Sequence, residues 1–402
     1  MTRLSDVVDM TFGFAFRSAE FSEEPADVRL LRGDNIGQGR LRWGGAKRFP
    51  RTRVGEFERY QLAVGDAVIA MDRPWIEAGL KYSVVREEDV PSLLVQRVAR
   101  LRTKSDSLDQ GFLGAVIGSA EFTNYVIGVQ TGSAVPHISG GQIGDFEFEL
   151  PDVGEQRAIT ATLGALDDKI ESNRHAADTL VALISALFEQ VISSHEVVYA
   201  PLGELARAVN GRSYKSSELQ ESSTALVTLK SVDRNGGYKE SGLKPYTGPH
   251  KPEQEVRPGE IVVAQTDLTQ GAEIVGRGVR VPRSGRYDTL VASLDLAIVR
   301  PLAGMPVEYL HGLLSSEAFR QHCRAHVTGT TVLHLAKDAM PTWSAPIVPP
   351  DEQERFAESV RPMLARMDAL SEESARLVAL RDALLPEILS GRVRVPVEGV
   401  VP

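Results

Sequence analysis

The chain has 402 residues, 42% hydrophobic and 25% charged, with a formal net charge of −9. That composition excludes a disordered or fibrous chain and predicts a globular protein of two or more domains. The single cysteine, Cys323, excludes an internal disulfide and a cysteine-rich zinc site, and it reads as a plain buried residue.

Met1-Thr2-Arg3-Leu4-Ser5-Asp6 has no apolar signal region, no run of about 18 apolar residues predicts a membrane span, and the single cysteine fits a reducing cytoplasm, which is the expected compartment. Residues 1–150 are rich in turn residues and short β-like runs. Gly37-Gln38-Gly39 marks a turn, Ala67-Val68-Ile69-Ala70 follows Gly65-Asp66, and a helix is predicted around 108–127. Residues 151–195 predict one long helix, whose seam is Ile159, Leu163, Leu166, Ile170, Asn173, Ala177, Leu180, Ile184, Leu187 and Val191. The steps of four and three are a heptad pattern, which asks for a partner helix.

Residues 196–348 predict a second globule. It has Asn235-Gly236-Gly237 as a turn, Ile261-Val262-Val263-Ala264 after Gly259-Glu260, and a helix around 305–324. Residues 349–402 predict a second long helix with a seam of Phe356, Val360, Met363, Met367, Leu370, Ser374, Leu377, Arg381, Leu384 and Ile388. Pro362 and Pro386 fall inside it and predict a kink or a later start. The simplest partner for one long helix is the other, as an antiparallel pair.

This order reflects an internal repeat. Adding 197 to each number from Phe112 to Gln156 gives Tyr309 to Gln353 without a gap. Thr131-Gly132 falls on Thr328-Gly329, His137 on His334, and Glu155-Gln156 on Glu352-Gln353. With small shifts Gly13 falls on Gly211 and Arg17 on Lys215. One α+β unit is used twice.

Charge is unevenly spread. Residues 1–150 hold 18 Lys/Arg against 21 Asp/Glu, and residues 196–348 hold 17 against 16. Within residues 29–53 eight cations (Arg29, Arg32, Arg40, Arg42, Lys47, Arg48, Arg51 and Arg53) face the single acid Asp34. Arg277, Arg280, Arg283 and Arg286 cluster without an acid among them, and their Gly/Pro-rich surroundings predict a loop.

Several segments resemble type I restriction-modification specificity subunits: Thr131-Gly132-Ser133-Ala134-Val135-Pro136-His137-Ile138-Ser139, Pro151, Glu155-Gln156, Leu166-Asp167-Asp168-Lys169-Ile170-Glu171-Ser172-Asn173, and the run from Leu380 to Gly391. The resemblance implies target recognition domains at 1–150 and 196–348, and spacer helices at 151–195 and 349–402, paired as an antiparallel coiled coil in a pseudo-twofold repeat. It implies double-stranded DNA as ligand, each domain reading one half of an interrupted target. It also implies two modification subunits docked on the helices, which methylate adenine with S-adenosylmethionine; a restriction subunit can join. The specificity subunit itself has no catalytic centre, metal or cofactor. The second helix has Met367-Asp368-Ala369-Leu370 where the first has Ile170-Glu171-Ser172-Asn173, so equal docking on the two helices does not follow.

Lys and Arg neutralise phosphates, and polar side chains read base edges. The candidate DNA-binding residues are therefore the two cation clusters, the matched pair Arg17 and Lys215, Lys230, and Thr131, Ser133, Thr328 and Thr330 of the Thr-Gly loops. For the clusters the bland alternative is a solvated basic face, and for the Thr-Gly loops a turn that packs the globule on its helix. His137 and His334 read as structural. Asn173 on the seam is a candidate for fixing helix register, and Asp168 and Lys169 beside it for meeting a partner. The long-helix seam spans roughly 50 Å, against about 34–36 Å for one turn of DNA, so half-site centres about one turn apart are expected. The competing class is a duplicated coiled-coil scaffold that does not read DNA, which the negative total charge favours. No phosphate-cradling Gly-Lys-Ser/Thr loop, nucleophile elbow or His-Glu-x-x-His motif supports an enzyme.

Overall fold

The structure is a computed structural model that describes residues 1–395 apart from Ala78, Ser133, Arg234, Asn235, Thr269, Gln270, Ala303 and Thr331. The turn reading at Asn235 and the candidate Ser133 lie outside the described residues. The fold is α+β, in two units: Met1–Lys169 with the stretch from Leu377 onward, and Ile170–Arg376.

In the first unit an antiparallel sheet runs in the order Val8–Phe12, Val98–Thr103, Ala67–Ala70, Tyr82–Val84. A second sheet places Val28–Leu31 between Arg48–Phe49 and Ser92–Leu94, the last pairing parallel. The second unit repeats both orders. Its larger sheet is Ala206–Asn210, Leu296–Pro301, Ile261–Ala264, Gly278–Arg280, and its smaller one centres Thr224–Val227 between Lys244–Pro245 and the parallel Thr289–Ala292. The inner strands Ala67–Ala70 and Ile261–Ala264 are buried throughout. Core lies on both their faces, which is why they read as continuous apolar runs rather than alternating ones. Gly13 and Gly211 are needed for a close chain approach. A Cβ on either would lie 2.1 Å from a carbonyl oxygen, that of Val95 or Ser293.

The helix expected around 108–127 is two helices, Gln110–Ile117 and Ala120–Val129. The helix expected around 305–324 likewise divides into Val307–Ser315 and Glu317–Ala325. Serine causes both breaks: the hydroxyls of Ser119 and Ser316 accept the amide hydrogens of Phe122 and Phe319 and start a new helix. Apolar periodicity persists across such a break, so it was invisible to pattern reading.

The long helices are Val153–Ser194 and Pro350–Leu389. The second runs unbroken through Pro362 and Pro386 and starts ahead of its seam. In the second unit Asn173 meets Glu373 and Ser374, Phe188 meets Phe356, and His195 meets Glu352. Numbers rise along one helix as they fall along the other, so the pair is antiparallel there. In the first unit Asp167 bonds Arg381, and Ile159, Leu163 and Ile388 share one core. The seam departs from strict heptads where it reaches the second globule, burying Phe188 and Leu364 rather than Leu187 and Met363. Phe188 packs on Tyr309 and Gly312 of the globule as well as on Phe356 of the facing helix, Leu364 belongs to the same core, and the straight 3.6-residue period applies.

By length and composition Val153–Ser194 contains a window apolar enough to cross a membrane, contrary to the sequence expectation. Ile184 and Phe188 from this helix are buried in the second unit's core.

Candidate nucleic-acid interface

The first basic stretch separates into tied and exposed cations. Arg29 donates to the Glu88 carbonyl at 2.6 Å and stacks over Trp43 at 4.4 Å, while Trp43 donates to Asp89. Burial and then Asp89 act on Arg29 in opposite senses, and burial prevails, lowering its pKa. Arg48 donates to the Asp27 carbonyl. Arg53 bridges Glu56 and Glu20 at 2.9 and 3.0 Å, which raises its pKa, and lies over Phe49. These three brace the smaller sheet and its aromatic cluster of Phe16, Phe49 and Phe57. Arg32, Arg40, Arg42, Lys47 and Arg51 are exposed. Arg32 lies 3.8 Å from Asp34, Lys47 lies 3.2 Å from Glu23, and Arg42 bonds Gln38.

The second cluster also divides, and only part of it is a loop. Arg280 lies in a strand and bonds Asp368 of the second long helix at 2.5 Å. Arg277 is half-buried, its Nε donating to the Glu273 carbonyl at 2.8 Å. Arg283 and Arg286 are exposed, as the loop reading expected. Arg17 and Lys215 are both exposed, and each carbonyl accepts an amide three residues on, from Glu20 and Glu218. The repeat thus presents a cation twice on the same kind of turn. Lys230 is exposed on the turn Leu229–Ser231.

The Thr-Gly loops are tight hairpin ends. Gly132 and Gly329 have φ of +94° and +105°, and a Cβ on either would meet a carbonyl oxygen at 2.7 or 2.2 Å. The Thr131 amide is held by the His137 carbonyl and the Thr328 hydroxyl donates to that of His334, so these two groups are engaged within the loops. Thr131 and Thr330 still expose their side chains. His137 bonds Asp72 at 2.6 Å.

On the helices Asn173 is 2% exposed and donates to Glu373 at 2.9 Å. The irregular members of the second seam have partners: Ser374 accepts from Asn173, and Arg381 donates to Asp167 at 2.8 Å. Asp168 and Lys169 are exposed.

Sequence reasoning missed the role of the glutamines that open the long helices. Gln156 is fully buried, donates to the Ser107 and Pro151 carbonyls and accepts from the Asp109 amide at 2.7 Å. Gln353 donates to the Val348 carbonyl at 2.9 Å. Each latches its helix to its globule, and recurrence at one offset was the available signal.

Among the described residues no cluster of His, Cys, Asp or Glu could hold a metal ion. The architecture defines a class: two α+β units of one sheet topology, each joined to both long helices. No protein-family model matches the sequence. The relatives it resembles are type I restriction enzyme specificity subunits, as the motifs implied. It is 32% identical over 195 residues to the EcoAI specificity subunit of Escherichia coli, covering 48% of this chain and 33% of that one. It is 30% identical over 174 residues to the MjaVIII specificity subunit of Methanocaldococcus jannaschii, covering 43% and 40%. The matches thus span about a third to two fifths of those relatives' own length. The fold is similar to the crystal structure of a type I restriction-modification S subunit from M. genitalium, with a TM-score of 0.54 at 14% identity, over 96% of this chain and 95% of that one.

Proposed function

We propose that the chain is a non-catalytic specificity subunit of a type I restriction-modification complex, acting in the cytoplasm. Each unit reads one half of an interrupted double-stranded DNA target, and the half-sites lie about one helical turn apart. The long helices dock two modification subunits, which carry S-adenosylmethionine and methylate adenine; a restriction subunit can join the complex. The carrying observation is one sheet topology used twice with unlike exposed cations: Arg40, Arg42 and Arg51 in the first unit, Arg283 and Arg286 in the second. Like scaffolds with unlike readers suit a two-part, asymmetric target. The specificity-subunit names of the relatives support the same reading.

The test is to map methylated adenines in cells carrying the system. Exchanging residues 1–150 for another recognition domain changes one half of the methylated motif. A change in both halves, or a contiguous motif, overturns the reading.

A further inference from the structure

The register of the two larger sheets makes Lys81 and Arg277 equivalent. Ile69 pairs with Tyr82 as Val263 pairs with Gly278. The Ala70 amide donates to the Lys81 carbonyl at 3.0 Å, and the Ala264 amide to the Arg277 carbonyl at 3.1 Å. In both units the residue entering this strand is a recessed cation.

Lys81 is 9% exposed. Its amide bonds the Pro74 carbonyl, which brings exposed Arg73 beside it. The next amide, of Tyr82, bonds Gly37, which lies against the exposed Arg42 guanidinium. Of the nearby acids, Asp72 bonds His137 and lies 3.7 Å from Arg97, while the exposed Asp34, 3.8 Å from Arg32, is the strongest charge acting on Lys81 and partly offsets its burial. Around Arg277 the cations come from a different source, the helix Glu317–Ala325. Arg277 and Arg320 both donate to the Glu273 carbonyl, and Arg324 donates to that of Ala272. The Arg320 Nε is buried without a partner among the described residues. Burial, then Arg320 and Arg324, push the Arg277 guanidinium down to about 10 against the opposing pull of Glu317 and Asp233, and burial likewise lowers Lys81.

A recessed cation beside two more costs folding energy. The same position carries that cost in both units, with different residues supplying the flanking charge. A phosphate oxygen relieves it, because an anion between three cations gains charge-assisted hydrogen bonds. We propose that Lys81 and Arg277 are equivalent anchors, one per unit, that each receive a DNA backbone phosphate between two arginines: Arg42 and Arg73, or Arg320 and Arg324. This rests on the DNA-binding reading above.

The test uses the complex assembled with its modification subunits and a random-sequence DNA duplex, with affinity measured from about 50 to 200 mM salt. Lys81→Met and Arg277→Met each weaken binding about ten-fold at low salt and reduce the slope of log affinity against log salt by about one. Lys81→Arg and Arg277→Lys retain most of the binding. The thermal midpoint of the Met variants stays or rises, since a recessed charge has gone, whereas a merely structural role would lower it and leave the slope alone. Should a Met variant fail to fold, the Gln variants at the same positions carry the measurement. Wild-type slope and affinity in the folded variants overturn the anchors while leaving DNA binding intact. Flat, salt-independent behaviour of the wild-type complex overturns the DNA reading itself.

Discussion

Among the described residues Gln156 makes three side-chain hydrogen bonds in the first unit, and in the second Gln353 makes one through its side-chain amide. Part of the difference has a covalent cause. Asp109, whose amide Gln156 accepts, corresponds to Pro306, which has no N–H to give. The second unit secures its helices by other means. Tyr309, in place of Phe112, donates to the Pro346 carbonyl at 2.9 Å, and Phe188 packs between Tyr309 and Phe356. Arg280, in place of Val84, reaches Asp368. One latch has been exchanged for an aromatic wedge and an ion pair. A duplicated fold can keep its architecture while redistributing what holds it.

The wedge is the place to break this comparison hardest. Phe188→Ala should cost about 3–5 kcal/mol in urea unfolding, because a Cβ-deep cavity opens against Gly312. A loss under about 1 kcal/mol would deny the wedge its role. Next is an acid effect confined to the second unit, since Gly114 stands where His311 does. Burial, then Arg280, push His311 down to about 4, against Glu308, and its Nδ1 is buried without a partner among the described residues. Above the unfolded pKa neither state is protonated there. As pH falls from about 6.5 to about 4 the unfolded chain takes the proton first, so stability is lost over that window, by up to about 3 kcal/mol. His311→Gln should remove that part of the decline in a thermal-midpoint series against pH; an unchanged series refutes it.

Smaller effects sharpen the latch. Gln156→Ala leaves a donor and two acceptors without their partner and should cost about 1–3 kcal/mol, and Gln353→Ala about 1 kcal/mol. Equal losses would erase the asymmetry. Smallest is the half-exposed ion pair: a double-mutant cycle on Arg280 and Asp368 should give a coupling of about 1 kcal/mol or less, falling with salt. A coupling indifferent to salt would mean that packing, not charge, joins them.

Much of this architecture was legible beforehand. The repeat, the inner strands and both long helices follow from local pattern, and Gly13 with Gly211 marked a shared constraint before its cause, a carbonyl 2.1 Å from a would-be Cβ, was known. The cation assignments were less legible. Counting charges within residues 29–53 missed Glu20, which holds Arg53 from outside the window, and no local count could foresee Asp368 meeting Arg280. Lys81 stood alone in the sequence, and only strand register made it the equivalent of Arg277. Pairing across long separations is decided by tertiary folding, which composition does not encode.

The second unit, Ile170–Arg376, is continuous in the chain, whereas the first is closed by the stretch from Leu377 onward. During synthesis the ribosome therefore delivers everything the second unit needs before it delivers Leu384 and Ile388, which cover Ile159 and Leu163. The half made first is the half finished last. Until the final turns of Pro350–Leu389 emerge, the nascent first unit carries an open apolar seam that chaperones and proteases can inspect.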